Sequence, residues 1–497
     1  MPGISERHQW AWAGVLGLIL AAASIAATWA GLSGTWVGDD WHMVHNYMYG
    51  DWAELGKVFK RNAASYLFVD DKVGPYRPIT MLTLIAAHLV SPSEGLHHAV
   101  SWFVHALTSV LLYFVLRATL SPTRKANDGA VNDFVAAGLA ALFFLHPIHV
   151  ESYVWINGRS DLLAGFWLVA LMFSLHQWTK EPRPGRSQLV VVAALAFLGA
   201  SSKLPFAIAA VAAWIGWAIR TRAPQSRPAG SAIAAGIAIH LVLRAVFAPF
   251  KGQLGASENV FTDLYIWSAA PKIIGKGAAA MFSLRAEAMQ SLSWALFGTW
   301  SLPEWLGLLL VILVVLFLMY REDWSGLAYW CGAWLTLAPV IVVSGAFWMG
   351  FDRYLYMPSI LASLAVAPYV AEAASRGRSV RIALAALGLG LMVIAAIQTQ
   401  RASAAYASQE AYDEALIRDH ADDPSIHFYF ARVASRRGEA EALRQHLASM
   451  PAPPWPRPII VQTYELAIEA NDSLRAQQAI QALTATATTL RQCARAK

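Results

Sequence analysis

Charge is scarce in this chain: only 14% of its 497 residues are Asp, Glu, Lys or Arg. Soluble domains carry about a quarter of such residues, so an ordinary water-soluble globule is excluded. Cysteine is nearly absent, with Cys331 inside an apolar run and Cys493 near the C-terminus. Their surroundings differ, so a bridge between them is not expected and the redox compartment cannot be read from them. No internal repeat is evident, whereas transporters are often built from repeated halves. No long tract of one charge sign occurs either. The net charge of +6 is spread over short loops between apolar runs and is not a nucleic-acid footprint.

What the chain does have is apolar and aromatic bulk. Hydrophobic residues make up 57%, Trp alone contributes 21 residues, and mean hydropathy is +0.43. This is the composition of an all-α polytopic membrane protein, with Trp available for interfacial belts. Runs near span length occur at 10–32, 98–116, 134–145, 162–178, 189–200, 204–219, 233–247, 305–320, 327–343, 354–373 and 382–397. The hydropathy rule thus predicts about 11 transmembrane helices. Arg7 and His8 precede the first run and no cleavage site is convincing, so that run is expected to be a retained signal anchor.

Loop charge tests this topology. With the N-terminus cytoplasmic, the cytoplasmic loops hold Arg117, Arg124 and Lys125, then Lys180, Arg183 and Arg186, then Arg220, Arg222 and Arg227, then Arg321, then Arg376, Arg378 and Arg381. Alternate loops are therefore basic, as the positive-inside rule requires. The stretches 78–90 and 265–284 break the alternation if counted as spans. The first is short and carries His88, and the second is interrupted by Lys272 and Lys276. Both are expected to be amphipathic helices on the outer interface.

Residues 1–398 are thus expected to form a transmembrane domain, with 33–96 as its first outer loop. From about Arg401 the composition turns to Ala, Gln, Glu and Arg. Residues 399–497 are expected to be a small helical tail resembling a degenerate tetratricopeptide hairpin, too short for a stable solenoid by itself.

Ionisable residues gather at one edge of the spans. Asp39 and Asp40 follow the first run immediately. Adjacent carboxylates raise one another's pKa unless a cation relieves them, which suits a general base and its partner. A solvated helix N-cap is the plainer reading. Between two long apolar runs lies the stretch from His146 to Asp161, with His149, Glu151 and Arg159. Ionisable groups at a bilayer edge mark function by default. Pro147 denies these histidines a regular helical zinc spacing, and a divalent metal stays open. Ser160 is expected to cap a helix starting near Asp161. Arg159 beside that N-terminus suits an anion, or a structural ion pair. Lys203, Asp352 and Arg353 fall at the same outer edge. Such a concentration of cations and carboxylates suits a site where a phosphate leaving group meets an acceptor, because preorganised cations stabilise the charge that develops.

The residues His146 to Glu151, followed by Gly158 to Leu163, closely resemble the transmembrane and tetratricopeptide-repeat O-mannosyltransferases and their bacterial relatives. Other landmarks agree in order: Asp39 and Asp40, Tyr76 to Thr80, His98 with His105, Ser202 with Lys203, and Asp352 to Ser359. The resemblance implies a GT-C fold and a polyprenyl-phosphate-linked sugar donor. It implies Asp39 as the base, Asp40 as its partner, and Arg159, Lys203 and Arg353 around the donor phosphate. It also implies a sugar and acceptor pocket shaped by His146, His149, Glu151, Asp161, Arg77, His98, His105, Asp352 and Tyr354. The acceptor, whether protein, lipid or glycan, is left open. Ser101 departs from the Asn common between the two histidines, and the repeat array is reduced to a short tail. Basic cytoplasmic loops and the lack of an ER retention signal lead us to expect a bacterial inner membrane, with the active site and C-terminus periplasmic. A polytopic lipid or solute transporter, a flippase, or a non-catalytic assembly factor are the alternative readings.

Overall fold

The computed structural model describes residues 21–38, 40, 54–60, 76–120, 129–179, 185–247, 267, 269–284, 300–343, 352–420, 424–437, 439–449, 466–468 and 470–481. Every regular element among them is helical. In chain order the main helices are α1 (Ala21–Leu32), α2 (Pro78–Val90), α3 (Glu94–Leu120), α4 (Gly129–Leu145), α5 (Arg159–Trp178), α6 (Arg186–Ser202), α7 (Phe206–Thr221) and α8 (Ser226–Phe247). Then come α9 (Ala270–Ser283), α10 (Leu302–Tyr320), α11 (Trp324–Leu335), α12 (Tyr356–Ser375), α13 (Arg378–Ala404), α14 (Gln409–His420), α15 (Pro424–Arg437) and α16 (Ala440–Ser449).

Six stretches among the described residues are long and apolar enough to cross a membrane: α3, Ile156–Trp178, α8, α10, Asp352–Ser375 and α13. They make this an integral membrane protein. The number rises to seven if α4 and Pro147–Tyr153, bent by 52° at His146, form one broken span. The sequence count of about 11 is not reached, and helix length explains the difference. At about 1.5 Å per residue, α6 with 17 residues and α7 with 16 fall short of a hydrocarbon core about 30 Å thick. The run 327–343 divides at Thr336 and Leu337 into α11 and the one-and-a-half turns of Ala338–Val343. The described part of the first run is α1 alone.

Packing is serial. α6 lies between α5 and α8, α7 packs on α11, α11 on α12, and α3 on both α4 and α5. α9 runs along α10, where Gly275 and Gly307 face each other so closely that a side chain on either would strike the other helix's backbone. One apolar cluster centred on α3, α5, α7, α11 and α12 unites the bundle. Wholly buried members include Trp155, Trp178, Trp217, Trp330 and Tyr356. By contrast α10 and α13 present Leu309, Leu313, Leu316, Leu387, Leu389 and Val393 outward, as lipid-facing helices do.

The bundle core continues into the tail through Tyr406, Tyr412, Leu416, Ile426 and Phe430. A separate cluster, with Ala431, Ala434, Leu443, Leu447 and Ala467, joins α15, α16 and the residues beyond. α15 and α16 pack as a hairpin. At the bundle end opposite Lys203, Arg220 pairs with Asp323 at 3.4 Å and Tyr369 donates to Asp323 at 2.9 Å. Arg321 and Glu372 pair at 2.9 Å on the surface nearby.

Candidate functional site

The site begins with the failure of α4 to continue. Pro147 cannot donate to the helix ladder and its ring clashes with the preceding turn. The chain therefore leaves α4 through a 3₁₀ turn, Pro147–His149, and a single helical turn, Val150–Tyr153. A second 3₁₀ turn, Ile156–Gly158, then feeds α5. The resulting arm is buried along nearly its whole length. It carries Glu151, Tyr153 and Trp155 into the bundle.

Glu151 and Asp161 meet two cations from other elements. The Lys203 ammonium, at the end of α6, donates to both Asp161 carboxylate oxygens. The ammonium also stands 4.0 Å from the Tyr354 ring centroid. Arg353 Nε lies 3.8 Å from Glu151 Oε1 and 4.0 Å from Asp161 Oδ2. The Arg353 backbone N–H donates to Glu151 Oε2 at 3.4 Å. Its guanidinium sits over the Trp155 ring at 4.5 Å and near the Tyr354 ring at 5.0 Å. All four charged side chains are at most 5% exposed. Charges this deep persist only when paired and hydrogen-bonded. Arg77 approaches from α2's N-terminal side and donates to Ser160 Oγ at 3.2 Å. Asp352 is buried beside Arg353 in the chain.

The histidines form a different group. His105 Nε2 donates to the Phe144 carbonyl at 3.0 Å, leaving Nδ1 to accept from the Tyr356 hydroxyl at 2.8 Å. Its ring stacks on Tyr153 at 4.4 Å. His149 Nδ1 donates to the Phe143 carbonyl at 2.8 Å, and Nε2 lies 2.9 Å from Ser359 Oγ. His146 Nε2 donates to the Met281 carbonyl at 2.8 Å, tying the bend to α9. His98 is buried on α3. The ring nitrogens of His105, His146 and His149 are occupied in joining α3 to α4 and α12, the bend to α9, and the arm to α4 and α12. Among the described residues no group of three or more His, Cys, Asp or Glu is arranged to hold a metal ion.

Arg159 is also placed apart from the Lys203–Arg353 pair. It is wholly buried, and donates to Ser101 Oγ at 3.0 Å, to the His97 carbonyl at 2.7 Å and to the Thr83 carbonyl at 3.4 Å. It fastens α5 to α3 and α2. Ser160 does not cap α5 as expected. The helix starts one residue earlier, at Arg159, and its N-cap Gly158 already has helical φ −64° and ψ −14°. The preceding 3₁₀ turn delivers the chain in that conformation, so the extended residue that a side-chain cap requires is missing.

Asp39 lies outside the described residues. Asp40 is buried, and its Oδ1 accepts the Asn157 backbone N–H at 2.9 Å. Its Oδ2 accepts the Val37 N–H at 3.5 Å. The carboxylate also acts electrostatically on Arg159. The turn bearing Asp40 is thus joined to the same arm that carries Glu151.

Two further residues gave no sequence signal, because they lie beyond the last apolar run. Tyr406 is buried near Glu151, Asp352, Arg353 and Asp40. Burial first, and then the negative charge of Glu151 and Asp352, push its phenol well above the ordinary range, against the pull of Arg353. Gln409 accepts the Gly38 N–H at 2.9 Å. Tyr76, buried where the chain enters α2, donates to the Phe59 carbonyl at 2.9 Å, and burial pushes its phenol up to about 12.

Comparison with known proteins agrees with the resemblance read from the motifs, over limited lengths. The chain is 32% identical over 114 residues to protein O-mannosyl-transferase TMTC3 of Mus musculus, covering 22% of this chain and 11% of that protein. It is 30% identical over 138 residues to human TMTC4, covering 26% of this chain and 18% of the relative. With human TMTC1 it shares 30% identity over 158 residues, which is 29% of this chain and 16% of the relative. The match therefore spans well under a third of the length of these curated relatives. No family model matches the chain. No solved structure matches it.

Proposed function

We propose that the chain is an inverting glycosyltransferase, mannosyltransferase-like, moving a sugar from a polyprenyl-phosphate carrier to an acceptor at the extracytoplasmic membrane face. The observation that carries the reading is the meeting of Lys203 and Arg353 with Glu151 and Asp161 in one buried cluster, from three separate stretches of chain. Such a cluster costs several kcal/mol in desolvation and has no purely structural necessity. The likeness to O-mannosyl-transferases supports the same chemistry.

In this mechanism the acceptor hydroxyl attacks the anomeric carbon from the face opposite the phosphate. The bond between that carbon and the phosphate oxygen breaks, and configuration inverts. Asp39 takes the hydroxyl proton, while Asp40 holds its turn against Asn157. The electron pair of the broken bond stays on the leaving polyprenyl phosphate. Lys203 and Arg353 exchange part of their pairing with Asp161 and Glu151 for that growing charge. Arg159 holds α5, which carries Asp161, against α3 and α2. Arg77, His98, His105, His146, His149, Asp352 and Tyr354 shape the space for sugar and acceptor.

The fold follows a GT-C-type plan in this reading. Residues 1–398 form the catalytic domain, and 399–497 a helical region that meets the acceptor. In this reading the site and the C-terminus lie on the periplasmic side of a bacterial inner membrane, which the alternation of basic loops supports.

The deciding experiment is reconstitution in lipid nanodiscs with a synthetic polyprenyl-phosphate mannose, scored for carrier release and for sugar on an acceptor. Asp39→Asn should lower transfer by about 10²-fold or more with donor binding retained. Wild-type transfer by that variant would remove Asp39 from the role. Absence of any sugar movement by the wild-type chain across protein, lipid and glycan acceptors would overturn the assignment.

A further inference from the structure

The chain leading into the carboxylate pair is held by residues 371 to 375 positions later in sequence. The Gly31 N–H donates to Ser403 Oγ at 3.0 Å, and that hydroxyl donates to the Thr28 carbonyl at 2.9 Å. The Thr35 N–H donates to the Ala407 carbonyl at 3.3 Å. Gly34 packs so tightly on the Tyr406 backbone that no side chain fits there. Gly38 closes the series. It adopts φ +55°, a left-handed conformation that favours glycine, and a Cβ there would stand 3.3 Å from the Tyr412 hydroxyl.

At this point the N–H of Gly38 is directed at Gln409 Oε1, 2.9 Å away. The amide of Gln409 is oriented from its other end, where Nε2 donates to Asp413 Oδ1 at 2.7 Å, one turn along α14. Ser408 sets the start of that helix by accepting the Ala411 N–H at 3.2 Å on its hydroxyl. A left-handed residue whose N–H has a fixed acceptor aims the next peptide in one direction. Two residues on, Asp40 is received by the Asn157 N–H.

We infer that Gln409 is a positioning residue, which fixes the Gly38 turn and so the seating of Asp40 on Asn157 of the arm that carries Glu151. The inference rests on the sugar-transfer reading proposed above. It assigns the root of the helical tail a part in turnover, with no contact to the reacting atoms.

The test uses the full chain in nanodiscs with polyprenyl-phosphate mannose, and follows hydrogen exchange of the 31–40 segment in parallel. Gln409→Ala should lower kcat about tenfold or more, leave donor KM within about twofold, and speed exchange at Gly38. Gln409→Glu should also fail, because its carboxylate faces Asp413. Combining it with Asp413→Asn restores an acceptor for Gly38 held by a donating amide, and should return most of kcat. Unchanged kcat and exchange in Gln409→Ala would overturn the inference. So would a kcat loss that tracks lowered thermal stability and is not recovered by the double variant. If the wild-type chain moves no sugar while Gln409→Ala still speeds exchange at Gly38, the positioning stands and the sugar-transfer reading falls.

Discussion

Asp40 and Asn157 are joined across the fold by one bond, the backbone N–H of Asn157 donating to Asp40 Oδ1 at 2.9 Å. It ties the segment after α1 to the arm that leaves α4, and both sequence motifs meet there. The bond separates two roles that a carboxylate here can play. Asp40→Asn keeps an oxygen for the N–H and loses the charge. Asp40→Ala leaves the donor unmet, at about 1–3 kcal/mol. The alanine variant should therefore unfold at lower temperature, whereas the asparagine variant should keep near-native stability with reduced transfer. Equal melting of both variants in detergent would remove the structural role.

Lys203 and Asp161 invite a different comparison. Removing one partner strands a buried charge, which costs about 3–5 kcal/mol. Lys203→Met alone should be markedly destabilised. Lys203→Met with Asp161→Leu should regain most of the loss, yet bind the carrier phosphate no better than the single variant. Thermal unfolding read beside carrier titration distinguishes the outcomes, and a double variant that regains carrier binding would take Lys203 out of the phosphate site.

Truncation should divide the tail unequally. Tyr406, Tyr412 and Leu416 belong to the bundle core, so a chain ending at residue 401 should be lost from the membrane or aggregate. One ending at residue 420 removes the separate cluster of α15 and α16, and from the bundle core only Ile426 and Phe430 with the partly buried Tyr429. It should keep release of sugar from the carrier while changing acceptor use. Expression level and carrier release of the two truncations, measured side by side, check this.

Acid should loosen the α15–α16 hairpin. Burial, and then the neighbouring His427, lower the pKa of His446, which stacks on Phe430 at 5.2 Å. The folded hairpin thus binds a proton less readily than the unfolded chain does. Its stability is whole above the ordinary histidine value of about 6.5 and declines as pH falls through it. Proteolysis of the tail should quicken between about pH 7 and pH 5.5, and His446→Gln should flatten that dependence. A pH-independent cleavage rate in the wild type would contradict this.

Apolar runs and Pro147 made much of the bundle legible. Each run from 98 to 397 coincides with helix, and the bend falls where the proline requires it. Span number was less legible, because hydropathy measures apolar content while crossing also demands length. The split at Thr336 and Leu337 has a mark that the hydropathy count passes over, Pro339, which cannot continue the ladder of α11 and opens the short helix that follows. The motifs marked the neighbourhood of the site, and the structure sorted their members. Arg159 and Lys203 look alike as outer-edge cations, yet one meets carbonyls and Ser101 while the other meets Asp161. Pairing across 42 positions is set by helix packing, which one sequence does not encode locally. Gln409 was invisible for the same reason, being an ordinary helical residue until Gly38 is brought against it.

The shortness of α6 and α7 has a consequence for the surrounding lipid. Together they form a hairpin whose turn is Lys203 to Pro205, and each arm reaches only about 25 Å. Val190, Val191, Val211 and Ile215 on these arms face outward, so acyl chains must shorten beside them or leave apolar surface wet.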